Sequence, residues 1–246
     1  MFRGAGKLSR DQVCVWRFGL DAAPADLNEL YRLLAPSEQE RANRFFNVAD
    51  SQRSILGRGY LRLLLGQAVG MPGEELQFEY DEFGKPRLAA GHRSDLQFSV
   101  SHSGDWVLIS IAKGRAVGVD VERIRTNIEV SDLAKQFFSA NEAKKLGSLT
   151  GRALYDAFFA CWTSKEAYVK AKGQGLSLPL NDFEVGFLPD ERPGLLATWP
   201  DATEASRWKL FTLDLGPDHK GALIAAGQDW QLSCEILAWR EFPNSI

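Results

Sequence analysis

The feature that most constrains the fold is an order of helices and strands that the sequence predicts twice. In the first half, a strand pattern, two helix patterns and further strand patterns follow one another, at 13–18, 35–46, 51–70, 76–88 and 96–112. The order returns in the second half, with a strand at 114–124, helices at 136–148 and 155–173, and then apolar runs. These four runs are LSLPLNDFEVGFL, WKLFTLDL, KGALIAAG and WQLSCEILAW.

This recurrence predicts a duplicated α+β unit. We expect two similar α/β halves related by a pseudo-two-fold axis, with the active site in the cleft between them. The N-terminal subdomain is predicted at 1–110 and the C-terminal subdomain at 111–246. Since the chain has 246 residues, each half has the size of an ordinary domain.

Composition excludes several classes of protein. The chain is 45% hydrophobic and 25% charged with a net charge of −3, which is typical of a soluble globular protein and unlike a nucleic-acid binder. Its three cysteines are not in CxxC spacing, so we predict no disulfide framework and no zinc site. Without a signal-like apolar run or about 18 consecutive apolar residues, we expect a cytoplasmic protein that does not bind membranes.

Two carboxylates share one face of a predicted strand in GVDVE, residues 118–122. Because side chains alternate along a strand, Asp120 and Glu122 lie about 7 Å apart on one face, opposite the valines. Such a pair suits a hard cation bound through oxygen. The alternative is an ordinary solvated strand face.

A second carboxylate position lies on the long predicted helix. Glu166 and Lys170 are one turn apart, which is consistent with a surface ion pair worth a few tenths of a kcal/mol. They are equally consistent with a site where Glu166 completes a magnesium site and Lys170 meets a phosphate. Since magnesium usually borrows ligands from substrate phosphates, the second interpretation indicates a diphosphate ligand.

Hydroxyls and an imidazole lie at a predicted strand turn in FSVSHSG, residues 98–104. The turn explains them as capping groups, and phosphate binding is the functional alternative. A triad of Ser101, His102 and Asp105 is disfavoured, because adjacent side chains on a strand point to opposite faces and no GxSxG elbow occurs. In FGKPRL, Pro86 fixes a bend that exposes Lys85.

The motifs FGKPRL, FSVSHSG, GVDVE, FFSANE and WTSKEAYVKAKGQGLSLPL, in this order, resemble the Sfp-type 4′-phosphopantetheinyl transferases over about residues 35–185. The resemblance implies an enzyme that uses coenzyme A and magnesium, with manganese as the alternative metal. It implies transfer of phosphopantetheine to a serine of an apo acyl or peptidyl carrier protein, with release of 3′,5′-ADP. It also implies a monomer with coenzyme A in the cleft between the halves.

The same resemblance implies roles for single residues. Asp120, Glu122 and Glu166 match the metal carboxylates, and Asp120 also belongs to the coenzyme site. Lys170 matches a catalytic lysine on the diphosphate, and Glu142 in FFSANE matches a glutamate proposed to help deprotonate the attacking serine, directly or through water.

The remaining matches concern coenzyme A. The matched residues are Ser101 and His102 for its phosphates, Lys85 with Pro86 for the cofactor, and Arg53 and Arg41 for the 3′-phosphate. Some relatives carry a lysine for the 3′-phosphate near residue 38, where this chain has Glu38. The 3′-phosphate is therefore left to Arg41, Arg53 and His102.

Other functions stay open at this point. A magnesium-dependent diphosphate hydrolase would use the same carboxylates, and a binding module that has lost catalysis would need none of them. Basic residues at 123–148 are candidates for docking the acidic carrier, with ordinary surface lysines as the alternative. The sequence does not distinguish carriers of fatty acid, polyketide and nonribosomal peptide synthesis.

Overall fold

The computed structural model describes residues 8–20 and 24–236, which form two compact units. Unit 1 contains the described residues up to Asp81, together with 86–114 and 230–236. Unit 2 contains 82–85 and 115–229. Within these described ranges no helix combines the length and apolar character needed to cross a membrane.

Unit 1 begins with a strand, continues with helices and returns to strands. Its elements are β1 (Gln12–Gly19), α1 (Pro24–Arg32), α2 (Pro36–Asn43), α3 (Val48–Val69), β2 (Phe78–Tyr80), β3 (Pro86–Leu88), β4 (Leu96–Ser103) and β5 (Trp106–Lys113). β5 pairs antiparallel with both β1 and β4, and β2 pairs with β3. Phe18 of β1 stacks on Tyr60 of α3 with ring centroids 3.7 Å apart, in a core that continues into β5.

Unit 2 has the same sequence of elements. They are β6 (Val117–Arg123), α4 (Val130–Phe137), α5 (Ala140–Gly147), α6 (Gly151–Lys172), β7 (Phe183–Gly186), β8 (Gly194–Thr198), β9 (Trp208–Leu213) and β10 (His219–Ala226). β10 pairs antiparallel with both β6 and β9, and β7 pairs with β8. Aromatic residues of α6 fill the core, including Phe158 and Phe159.

The two units confirm the predicted duplication of mixed helix and strand content. Among the described residues before Trp230, each unit runs strand, three α-helices, four strands, and the last of these four pairs with both the first strand of the unit and the strand before it. Both α3 and α6 have 22 residues. Helices α1 and α4 and strand β8 were not predicted from the sequence.

The last described strand belongs to unit 1, although it follows unit 2 in the sequence. The chain passes from unit 1 to unit 2 at residues 114 and 115, four residues beyond the predicted limit. At Trp230, which is 1% exposed, it returns to unit 1, where β11 (Gln231–Ile236) pairs parallel with β1. The predicted subdomain 111–246 thus contains a strand of the first unit. Residues 237–239 of the predicted final strand lie outside the described residues.

Candidate functional site in unit 2

Strand β6 carries the acidic part of the site, and a glycine determines how closely α6 approaches it. A Cβ on Gly118 would lie 2.0 Å from the carbonyl oxygen of Ala167 and 2.5 Å from the amide nitrogen of Ala171. The backbone of α6 therefore rests directly on the face of β6 that Gly118 shares with Asp120 and Glu122. Asp120 is only 3% exposed, which excludes a solvated strand face at this position.

Lys170 of α6 forms an ion pair with Asp120, with Nζ 2.6 Å from Oδ1. The lysine side chain is 30% exposed and the aspartate side chain 5%. Hydrogen bonds between charged groups at this distance are among the strong ones. Burial of the Asp120 carboxylate also limits the screening of this pair by water. The sequence also allowed a simple surface pair of Lys170 with Glu166; the structure pairs the lysine with Asp120.

Glu166 lies within electrostatic reach of the other acidic groups. Burial raises the pKa of Glu166 above its ordinary value, the negative charges of Asp120 and Glu122 raise this pKa further, and Lys170 opposes them. The structure thus brings together the four side chains that the sequence predicted to converge, three carboxylates and one ammonium group. A cation placed among them would relieve their mutual repulsion.

The donor set fits a hard divalent cation. Carboxylate oxygens are the ligands that magnesium takes from proteins, usually one or two of them, and the remaining positions go to water and substrate phosphates. In the parts of the chain that the structure describes, no three Asp, Glu, His or Cys side chains are already arranged around a metal position. Asp120, Glu122 and Glu166 offer the oxygen ligands that such a cation takes.

The predicted serine and histidine lie at the end of β4 in unit 1. Ser101 is buried and His102 exposed, as expected for neighbours on a strand, which also argues against a triad. Arg53 of α3 reaches the following turn, where its Nε donates to the carbonyl oxygen of Gly104 at 3.0 Å. Its Nη1 also pairs with Asp50 at 2.7 Å. The structure therefore brings Arg53 to the turn that follows His102.

The two other predicted cations have different surroundings. Lys85 follows Gly84, whose φ of +83° explains the glycine, and it precedes Pro86 at the start of β3. The Nζ of Lys85 donates to the carbonyl oxygen of Ala171 at 3.1 Å, one residue beyond Lys170. Arg41 lies exposed in the last turn of α2.

Glu38 of α2 has structural partners. Its Oε2 accepts hydrogen bonds from the amide nitrogen of Ala35 at 2.9 Å and from Nε of Arg62 at 2.7 Å. Its Oε1 lies 3.1 Å from Nε of Arg58. Glu38 therefore caps α2 and neutralises two arginines, a role that excludes it as a phosphate ligand.

Glu142 is fully buried, with 0% of its surface exposed. Its Oε2 accepts from the amide nitrogen of Ser139 at 3.0 Å and lies 2.8 Å from Nζ of Lys165. Its Oε1 accepts from the amide nitrogen of Val185 at 2.9 Å. The Ser-x-x-Glu helix start that the sequence predicted is confirmed here, because Ser139 and Glu142 form a complete capping box.

The sequence interpretation missed two pairs near the site. Lys165 is 0% exposed, and its position one turn after Cys161 on a buried helix face could have indicated a buried cation. Lys220 of β10 lies opposite Glu122 in the sheet register and pairs with Asp156 at 2.8 Å. Burial tends to raise the pKa of Asp156, but Lys220 and Arg152 together hold it below its ordinary value.

Comparisons with known proteins match a different family description to each half of the chain. The 4′-phosphopantetheinyl transferase superfamily matches residues 116–233, and the description "4′-phosphopantetheinyl transferase, N-terminal" matches residues 21–113. The 4′-phosphopantetheinyl transferase HetI of a Nostoc species is 37% identical over 229 residues, covering 91% of this chain and 92% of the relative.

A further relative and one solved structure come from Bacillus species. The 4′-phosphopantetheinyl transferase Sfp of Bacillus subtilis is 29% identical over 208 residues, covering 85% of this chain and 89% of that protein. A crystal structure of a holo-(acyl-carrier-protein) synthase from Bacillus anthracis is 21% identical, with a TM-score of 0.33, and covers 45% of this chain and 94% of that one.

The fold of two similar α+β units, each matched by a 4′-phosphopantetheinyl transferase family description, places the chain among the transferases. The finding that identifies the family is the 37% sequence identity to HetI, in an alignment that covers nine tenths of both chains. The chain belongs to the 4′-phosphopantetheinyl transferase superfamily, of the Sfp type.

Proposed function

We propose that this transferase moves the 4′-phosphopantetheinyl group of coenzyme A to a serine of an apo acyl or peptidyl carrier protein, with Mg²⁺ as the metal. The observation that carries the proposal is the convergence of Asp120, Glu122 and Glu166 with Lys170 on one face of β6. A metal held by the three carboxylates, together with Lys170, would supply the positive charge that a diphosphate requires. The cluster contains no cysteine or serine that could act as a nucleophile of the enzyme.

The reaction exchanges one phosphorus–oxygen bond for another. The carrier serine oxygen bonds to the phosphorus that bears pantetheine, the bond from this phosphorus to the bridging oxygen breaks, and 3′,5′-ADP leaves with the electron pair. The serine proton passes to a base, for which the resemblance named Glu142 directly or through water.

Within the cluster each group has a distinct part. A bound Mg²⁺, or Mn²⁺ in its place, would supply charge neutralisation at the diphosphate, and Asp120, Glu122 and Glu166 would hold it. Lys170, which is partly exposed, would place its ammonium group against the phosphate oxygens while it stays paired with Asp120. Positioning and charge account for most of catalysis in phosphoryl transfer.

The coenzyme phosphates are assigned to the basic and hydroxyl groups of the earlier motifs. We assign Ser101 and His102 to phosphate contact and Arg53, which is held at the adjacent Gly104, to the 3′-phosphate. Lys85 and Pro86 are assigned to the nucleotide part, and Arg41, exposed on α2, assists at the 3′-phosphate. Glu38 takes no part, because Arg58 and Arg62 engage it.

The carrier is proposed to dock on a basic and apolar surface of unit 2. Exposed Arg123, Arg125 and Lys144 lie close in sequence to Phe137, which is 37% exposed. An acidic helix of the carrier would complement this surface. The KM of the enzyme for the carrier protein should then rise with ionic strength. An unchanged KM at high salt would exclude this docking surface.

We propose a cytoplasmic monomer as the active form.

The test incubates the purified protein with coenzyme A, Mg²⁺ and an apo carrier protein, and measures the intact mass of the carrier. Carriers of fatty acid, polyketide and nonribosomal peptide synthesis are compared in parallel. The expected result is the gain of one phosphopantetheine, abolished by EDTA and by Asp120→Ala. Consumption of coenzyme A with an unmodified carrier would indicate the hydrolase instead, and no change in any carrier would indicate a binding module.

A further inference from the structure

The ion pair between Glu142 and Lys165 ties three elements of unit 2 together. Besides Glu142, Nζ of Lys165 donates to the carbonyl oxygens of Leu180 at 2.7 Å and Phe183 at 2.5 Å. It also lies 4.3 Å from the ring centroid of Phe183, the first residue of β7. The pair thus joins the start of α5 to the middle of α6 and to the segment that enters β7.

Unit 1 contains the same arrangement with different residues. Glu38 caps α2 as Glu142 caps α5, and it pairs with Arg62. Arg62 is the fifteenth residue of α3 and Lys165 the fifteenth of α6.

The contacts of Arg62 repeat those of Lys165 closely. Its Nη1 donates to the carbonyl oxygens of Gly73 at 2.8 Å and Leu76 at 3.0 Å. Its guanidinium carbon lies 5.1 Å from the ring centroid of Phe78, the first residue of β2. Both copies of the duplicated unit therefore share this buried ion pair and its contacts.

Unit 1 has this ion pair without the acidic cluster. Val13 of β1 pairs with Ala112, as Val117 of β6 pairs with Ala225, and each alanine is the seventh residue of its strand. In this register Asp120 and Glu122 correspond to Trp16 and Phe18, which are buried core residues. The buried ion pair is thus present in unit 1, where the carboxylate cluster is absent. We therefore attribute the ion pair to the packing of the repeated unit.

We propose that Glu142 is a positioning residue and does not accept the proton of the carrier serine. Its ion pair with Lys165 fixes α6 against α5 and β7, and so sets Glu166 and Lys170 opposite Asp120. The serine proton then leaves through water. This inference rests on the proposed function, because the role of proton acceptor exists only if the transfer occurs.

The experiment compares Glu142→Gln, the double variant Glu142→Gln with Lys165→Met, and Glu38→Gln as the matched variant in unit 1. Breaking a buried pair on one side leaves a buried charge unpaired, so each single variant should lower Tm by roughly 10 °C. Removing both charges should restore much of the lost Tm. Transfer is assayed well below Tm, as kcat, as KM and as a pH profile.

The proposal expects kcat of Glu142→Gln within about tenfold of the parent, with its acid limb retained, and recovery of transfer in the double variant. Loss of a general base costs about 10²–10⁴ in rate. A double variant with restored Tm that stays more than 100-fold slower would overturn the proposal. If Tm is not restored, the pH profile of Glu142→Gln decides, and a lost acid limb refutes the positioning role.

The two proposals fail in different ways. If the parent protein transfers no phosphopantetheine, the proposed function is wrong. The Tm comparison between Glu38→Gln and Glu142→Gln still tests whether the two ion pairs are equivalent structural elements. Equal decreases in Tm support the equivalence, and a decrease confined to Glu38→Gln contradicts it.

Discussion

Asp120 combines nearly complete burial with a single close ammonium group, so its charge is held in place and little screened. Replacing it by asparagine keeps the shape and removes the charge. We expect Asp120→Asn to lower phosphopantetheine transfer at least about 100-fold, the order expected for loss of a charged group in the reacting site. The loss of the ion pair with Lys170 is offset by relief of the repulsion between Asp120 and Glu166, and the valines on the other face of β6 are untouched, so circular dichroism and Tm should stay close to those of the parent.

The matched control is Asp95→Asn. The side chain of Asp95 is 41% exposed and pairs with Arg10 on the surface of unit 1, so this substitution should leave transfer unchanged. Transfer by Asp120→Asn at the parental rate in saturating Mg²⁺ would remove Asp120 from the site.

Lys170 has a second role at the residue scale, because it both neutralises Asp120 and faces solvent. Lys170→Met keeps the aliphatic stem and removes the ammonium group. A hydrogen bond to a charged group contributes about 1.5–3 kcal/mol, so we expect coenzyme A to bind roughly 10- to 100-fold more weakly. Titration calorimetry measures this directly, with Lys135→Met as the exposed control. Unaltered affinity would show that Lys170 does not contact the coenzyme.

At the scale of elements, the contact of α6 with β6 depends on the missing side chain of Gly118. Gly118→Ala would place its Cβ against backbone atoms of Ala167 and Ala171, which cannot rotate away. We expect a loss of about 3 kcal/mol in stability and a larger loss of transfer, because Glu166 and Lys170 would move from Asp120.

Gly147→Ala provides the comparison for this prediction. Gly147 is the last residue of α5, and a Cβ there would meet nothing within 4 Å. Alanine is the better helix former, so this variant should match or slightly exceed the parental stability. Urea unfolding of both variants gives the difference, and equal stabilities would show that α6 tolerates displacement.

Glu204 fixes the other end of α6. It accepts hydrogen bonds from Lys172 and from Nε1 of Trp208, both at 2.9 Å. Burial alone would raise the pKa of Glu204, but these bonds and the charge of Lys172 hold it below its ordinary value of 4.5. Since the folded-state pKa is lowered, the stabilisation is complete above pH 4.5 and is lost as the pH falls through the folded-state pKa.

Glu204→Gln should therefore cost about 2 kcal/mol near neutral pH and progressively less below pH 4.5. Urea unfolding of parent and variant at several pH values measures the difference. The exposed Glu74→Gln serves as control and should cost almost nothing at any pH. A cost for Glu204→Gln that does not change with pH would refute the ionic origin.

Local patterns predicted most elements, and contacts distant in sequence explain the rest. Helix α3 ends at Gly70 as predicted, since its φ of +77° favours glycine. The predicted helix 136–148 is divided, because Ser139 adopts an extended backbone to cap α5. The burial of Glu142 depends on Lys165 and Val185, which are far along the chain, so the sequence alone left it as a candidate base.

At the scale of the whole molecule, duplication has produced two similar units with one acidic cluster. Trp16 and Phe18 stand in unit 1 where Asp120 and Glu122 stand in unit 2, and Leu63 of α3 occupies the helix position of Glu166. Aromatic and aliphatic side chains offer no ligands for a hard cation. Unit 1 thus has the same fold, but apolar core side chains occupy the positions that correspond to the acidic cluster of unit 2.

This difference predicts one metal ion and one coenzyme A per chain. Electron paramagnetic resonance of Mn²⁺, titrated in the presence of coenzyme A, should give one bound ion, and calorimetry should give one coenzyme. Asp120→Asn should reduce the number of tightly bound ions from one toward zero, because the described residues of unit 1 offer no replacement set. Two equivalent ions per chain would mean that unit 1 has its own carboxylates for a metal, and the equivalence of Trp16 with Asp120 would then be wrong.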